Sequence, residues 1–145
     1  MMKKIIVAAI FLIAVGIKVN GQAIQIKNIK DITGRWEVAG EQDSGCALEI
    51  VDSNTILLTY MGEKKKILDY KIDFSHSPYW FDFSIPDTSS IIAVKSLLEV
   101  VGDSMIKWQL FVDEERTDHF SSSKGELFYL RRNQPAANTG ISRSN

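Results

Sequence analysis

In its central part this chain places apolar residues at every second position, in short runs. Tyr79, Phe81, Phe83 and Ile85 point one way, and Trp80, Asp82 and Ser84 the other. Ile106, Trp108, Leu110 and Val112 stand opposite Lys107 and Gln109, and Ile56, Leu58 and Tyr60 alternate with Leu57 and Thr59. A period of two is the signature of an extended strand with one face buried, because successive side chains of a pleated strand leave from opposite faces. No helical period survives across these windows. One helix-like segment competes, residues 94–101, where Lys95 and Glu99 stand four apart; it too is read as a strand.

The runs end for physical reasons. Asp52-Ser53-Asn54 and Met61-Gly62-Glu63 are tight-turn compositions, with Asn or Gly able to take positive φ. Pro78 fixes its own φ and lacks a donor, so Ser75-His76-Ser77-Pro78 closes a strand. Gly102-Asp103-Ser104 separates two apolar runs, and residues 113–125 form the longest polar connection. Eight strands result, at 35–39, 47–52, 55–60, 66–74, 79–85, 92–101, 105–112 and 127–132, preceded by a single helical turn at 29–33. Many short strands with short links predict an all-β antiparallel sandwich or barrel.

The first 21 residues carry a different pattern. Lys3 and Lys4 precede an uncharged run, Ile5 to Ile17, and Val19-Asn20-Gly21 offers compact residues for cleavage. That is the layout of a secretory signal peptide. As a helix the run would span about 20 Å, short of the roughly 30 Å of bilayer hydrocarbon. The expectation is a periplasmic or secreted protein with no stable membrane anchor after cleavage. Residues 22–132 would form one domain, and 133–145, nearly devoid of aliphatic residues, a disordered tail.

Removal of residues 1–21 takes three lysines and no acid. It leaves 14 basic residues against 18 acidic, a formal charge of −4. Such a surface is a poor partner for nucleic acid. Cys46 is the only cysteine; it cannot form an intramolecular disulfide and reads as a small buried apolar residue.

Gly34-Arg35-Trp36 in the first strand and Leu127-Phe128-Tyr129-Leu130-Arg131-Arg132 in the last become informative together. The chain resembles the lipocalin-like, or calycin, class of eight-stranded up-and-down barrels. In that class a Gly-x-Trp opens the first strand and an arginine of the last strand lies over the tryptophan. The resemblance implies that Gly34, Trp36 and either Arg131 or Arg132 close the barrel, since one register step exchanges the faces of the two arginines. Small bacterial secreted lipocalin-like domains also share a segment of the type Ser77-Pro78-Tyr79-Trp80-Phe81-Asp82-Phe83, with a later Arg116-Thr117-Asp118-His119-Phe120. The resemblance runs from about Ile32 to Arg132. The chain departs from typical lipocalins in a shorter barrel and in lacking a helix after the last strand.

Catalytic constellations are missing from the pattern. Gly102-Asp103-Ser104 mimics an esterase nucleophile segment but fits a hairpin turn better. His76 and His119 lack the spacing of zinc ligands, and His119 beside Asp118, Glu114 and Glu115 reads as a solvated acidic loop. Lys64-Lys65-Lys66 reads as a basic hairpin tip. No phosphate-cradling glycine motif occurs. No metal, cofactor or enzymatic activity is therefore expected. The aromatics are the stronger lead. Tyr60, Tyr70, Tyr79, Phe81, Phe83 and Trp108 are candidates to line a cup for a small hydrophobic ligand, with the tyrosines as anchors. The alternative is a filled barrel that binds or inhibits another envelope protein, with outward-facing Trp80 and the 113–125 loop as its contact surface.

Overall fold

The computed structural model describes residues 23–39 and 45–133. The expected signal peptide, 1–21, lies outside the described residues. So does the expected tail, except Asn133, whose N–H donates to the Arg35 carbonyl at 2.8 Å. Among the described residues no helix is long and apolar enough to cross a membrane.

The protein is all-β, a nearly closed antiparallel barrel with nine strands among the described residues. They are β1 (Gly34–Val38), β2 (Ala47–Ile50), β3 (Ile56–Tyr60), β4 (Glu63–Lys66), β5 (Leu68–Asp73), β6 (Tyr79–Pro86), β7 (Ile91–Val101), β8 (Met105–Val112) and β9 (Glu126–Arg132). The sheet order is β4-β3-β2-β1-β9-β8-β7-β6-β5. Every strand except β1 and β9 therefore pairs only with sequence neighbours, and those two pair with each other, Trp36 opposite Arg132. Residues 94–101 are strand, with Val94 opposite Val112 and Val101 opposite Met105.

The ninth strand is β4, which lies almost entirely before the segment expected at 66–74; that segment itself becomes β5. Met61 and Gly62 both take positive φ (51° and 80°), so the turn closes at Tyr60–Glu63 and pairing begins at once. Lys64, Lys65 and Lys66 are thus strand residues paired with β3, not a hairpin tip. Period-two reading misses them because Glu63-Lys64-Lys65-Lys66 has no apolar face to alternate. Buried Ile67 then donates its N–H to the Ile56 carbonyl at 2.8 Å. Beyond it the register shifts between Leu68 and Lys71, with Asp69 at φ 45°. The chain leaves β3 and joins β6. β4 and β5 are the two edges of the sheet, yet only Ile67 separates them. The barrel is therefore closed by the chain itself where its ladder is interrupted.

The two ends differ. At the base, a 3-10 turn at Ile29–Ile32 is held by an Asn28 cap and the reciprocal Asp31 bond. It tucks Ile29 and Ile32 into the core. Trp36 is wholly buried above it, donating Nε1–H to the Ile32 carbonyl at 3.0 Å. Arg132 lies over the indole, 4.5 Å from its centroid, and donates to the Thr33 carbonyl at 2.8 Å. Arg131, exposed on the outer face, does not. Gly34 has φ +135°, and a Cβ there would stand 3.4 Å from Arg132 Nη1, so glycine suits both the backbone and the stacked guanidinium.

Candidate functional site

Inward-facing side chains turn from aromatic to aliphatic between the barrel's middle and its mouth. Along β6 they run Tyr79, Phe81, Phe83, Ile85, and along β8 Ile106, Trp108, Leu110, Val112. The barrel's middle is filled: Phe81, Phe83 and Trp108 are buried with ring centroids 5.0–6.1 Å apart. Buried Ser96 completes this layer, donating its hydroxyl to the Phe81 carbonyl at 2.6 Å and accepting Trp108 Nε1–H at 2.9 Å.

Above that layer the aliphatic side chains do not span the barrel. A cavity of about 630 Å³ opens at the mouth, walled by Leu58, Ile85, Ile92, Val94, Leu110 and Val112. Its rim carries Tyr60, Met61, Glu63, Lys65, Glu114 and Glu126. Met61, 83% exposed, and Val112, 45% exposed, leave apolar surface at the opening. Ile91, the first residue of β7 at the same end, is 67% exposed.

The rim is electrostatically uneven. Lys65 is engaged by Glu63 at 3.5 Å and Asp87 at 3.6 Å, the latter contact bridging the interrupted ladder between β4 and the end of β6. Glu126 accepts a 2.6 Å hydrogen bond from the Tyr60 hydroxyl. That bond, then burial and the carboxylate charge, push the Tyr60 phenol up to about 12. Burial, with Glu126 adding its charge, pushes the Cys46 thiol up to about 11. Glu114 accepts the Gly125 N–H at 3.0 Å.

Of the six aromatic residues proposed from sequence to line a cup, only Tyr60 borders this cavity. Phe81, Phe83 and Trp108 lie in the filled layer. Tyr70 donates its hydroxyl to the Ser53 carbonyl at the base turn. Tyr79 borders a separate hollow of about 500 Å³ beside residues 23–27, where its hydroxyl accepts the Ile26 N–H at 2.9 Å. Aromatic content marks where the barrel is full, whereas the cavity lies where inward positions turn aliphatic. Leu58, Ile85, Leu110 and Val112 belong to the alternating runs, so their inward direction was readable. Lys65, Glu114 and Glu126 carried no such signal.

The outer wall also differs from expectation. Trp80 is not an open contact patch. The His76 ring stacks on it at 3.6 Å and 4°, and the Arg116 guanidinium lies 4.0 Å from its centroid while pairing with Asp82. Segment 113–125 folds back over the same wall. Buried Gln109 donates to the Ser121 and Lys124 carbonyls at 2.7 and 2.8 Å and accepts the Ser121 N–H at 2.8 Å. The two segments around Trp80 and Arg116 that carried the resemblance are thus one structural unit.

Gly102-Asp103-Ser104 forms the β7–β8 turn, with Gly102 at φ +64°. Among the described residues no group of three His, Cys, Asp or Glu is placed to hold a metal. The molecule belongs to the class of antiparallel barrels with one sealed and one open end. Comparison with protein-family models, curated proteins and solved structures finds no match for this chain.

Proposed function

We propose that this is an exported, non-enzymatic binding protein of lipocalin-like type that holds a small, largely apolar ligand in its barrel mouth. In this reading β4 and β5 count as one bent strand of an eight-stranded barrel. The cavity of about 630 Å³ with six aliphatic walls carries the proposal. It falls within the roughly 300–1,000 Å³ of small-molecule sites, which are mostly apolar with few polar anchors. Tyr60 and Glu126 are the polar anchors here. The closure geometry of Gly34, Trp36 and Arg132 supports the lipocalin-like assignment.

The other reading, a filled barrel that binds or inhibits another envelope protein, has less support. The filled layer of Phe81, Phe83 and Trp108 favours it, but Trp80 and segment 113–125 are occupied within the molecule. Native mass spectrometry of the protein isolated from its host's envelope fraction tests the choice. A reproducible small-molecule adduct in the wild type, lost in Ile92→Trp, is the expected result. An adduct retained in Ile92→Trp would place the ligand elsewhere. A bare wild-type protein that also fails to take up a neutral fluorescent probe would remove the binding-module reading.

A further inference from the structure

The mouth combines an apolar wall with a rim of net negative charge. Three carboxylates and one ammonium border the cavity, a formal charge of −2. The ammonium, Lys65, is already shared between Glu63 and Asp87. Glu114 and Glu126 hold only neutral donors among the described residues: the Gly125 N–H and the Tyr60 hydroxyl. Each carboxylate retains acceptor capacity, since an ionised carboxylate has about four lone-pair sites. Both are exposed, so a charged group placed between them need not be stripped of its water.

We propose that the occupant of this mouth is a cationic amphiphile, an aliphatic or aromatic body carrying an ammonium or amidinium head. This rests on the mouth being the ligand site. The body lies against Val94, Leu110 and Ile92, and the head stays at the rim between Glu114 and Glu126. Tyr60 presents an aromatic ring at the same rim, a surface to which cations are drawn. A fatty acid or other anionic amphiphile in this orientation would set its carboxylate against two others. Charge complementarity therefore selects the sign of the head, while the wall supplies the affinity.

Displacement of the neutral probe N-phenyl-1-naphthylamine from the purified protein tests this. Competitors share a twelve-carbon chain and differ in head: dodecyltrimethylammonium, dodecanol and dodecyl sulfate, all below micelle formation. The cation should compete about tenfold more strongly than the anion, as expected for two screened, exposed charge contacts. In Glu114→Gln/Glu126→Gln that preference should fall to about twofold or less, each competitor being compared against the variant's own probe affinity. Equal competition by cation and anion, or a preference unchanged in the double variant, would overturn the inference and leave the apolar site standing. No probe binding by the wild type would overturn the site itself, and the inference with it.

Discussion

Truncating Trp36 should cost more than any other single change at the sealed end. The Trp36 side chain is fully buried, and large-to-small changes at such sites remove about 3–5 kcal/mol. Two further losses accompany it. The Ile32 carbonyl loses its 3.0 Å donor, worth about 1 kcal/mol. Arg132 loses the ring beneath it, a contact worth about 0.5–1 kcal/mol at a half-exposed site. These overlap, so the expected loss for Trp36→Ala is about 4–6 kcal/mol, against a total of roughly 5–15 for a domain. Urea unfolding followed by far-ultraviolet circular dichroism measures it, and the thermal midpoint should fall by about 20 °C. Trp36→Phe keeps a ring but no N–H and should lose about 1–2 kcal/mol. Arg132→Met, which keeps an apolar stem over the indole, should lose about 1 kcal/mol. A Trp36→Ala loss under about 2 kcal/mol, with unchanged cooperativity, would refute the idea that β1–β9 closure is anchored at this residue.

Other outcomes follow from local geometry. Gly125→Ala should destabilise by about 2–3 kcal/mol, because φ is +67° and a Cβ would stand 2.7 Å from the Leu110 carbonyl and 2.9 Å from the Phe111 ring. Gly102→Ala, at φ +64° with open space around it, should cost only about 1 kcal/mol in the same melts. Gln109→Leu preserves volume but frees two carbonyls and an N–H. It should cost about 2–4 kcal/mol, and hydrogen exchange at 121–125 should accelerate; unchanged exchange would mean that Gln109 does not pin the segment. The raised Cys46 and Tyr60 values favour the neutral forms in the folded protein. Their stabilisation is complete below the ordinary values of 9.0 and 10.0 and is lost as pH rises toward about 11 and about 12. Ultraviolet titration should show a late Tyr60 phenolate in the wild type, returning toward 10.0 in Glu126→Gln; if it stays late, Tyr60 is not held by Glu126.

Most of the strand framework was legible because burial on one face writes a period of two. The β6 and β8 runs carry that period over seven or more residues, enough to exclude a helix, whereas β7, with Lys95 and Glu99 four apart, kept a helical rival until its pairing with β8 settled it as strand. β4 was illegible for the same reason, since its Glu63-Lys64-Lys65-Lys66 face gains nothing apolar from the core. The choice between Arg131 and Arg132 needed the β1–β9 register, which places Arg132 and not Arg131 opposite Trp36. Trp80 misled because a large outward aromatic reads as a contact patch; His76 folds back onto it from the turn just before β6, and Arg116 reaches it from a distant part of the chain. The candidate site was half legible. The directions of its walls followed from alternation, but the gap between them is a property of volume around the whole ring.

That volume argument explains why one fold yields both a sealed and an open end. Strands joined to sequence neighbours set the frame of the barrel, and the inward side chains within that frame differ greatly in size. At the base, Trp36, Tyr79 and the 3-10 turn fill the cross-section. In the middle, Phe81, Phe83 and Trp108 do so. At the mouth the inward residues of β6, β7 and β8 are Ile85, Ile92, Val94, Leu110 and Val112, too short to meet across the axis. An interior left unfilled forfeits dispersion contacts along its whole lining, and a hollow of this size lowers stability relative to a packed core. It follows that enlarging a wall residue should raise stability while it removes binding. Ile92→Trp should keep or raise the thermal midpoint and abolish uptake of N-phenyl-1-naphthylamine. A fall of more than about 5 °C, the equivalent of roughly 1 kcal/mol, would mean that the mouth is already packed and that no hollow exists to be filled.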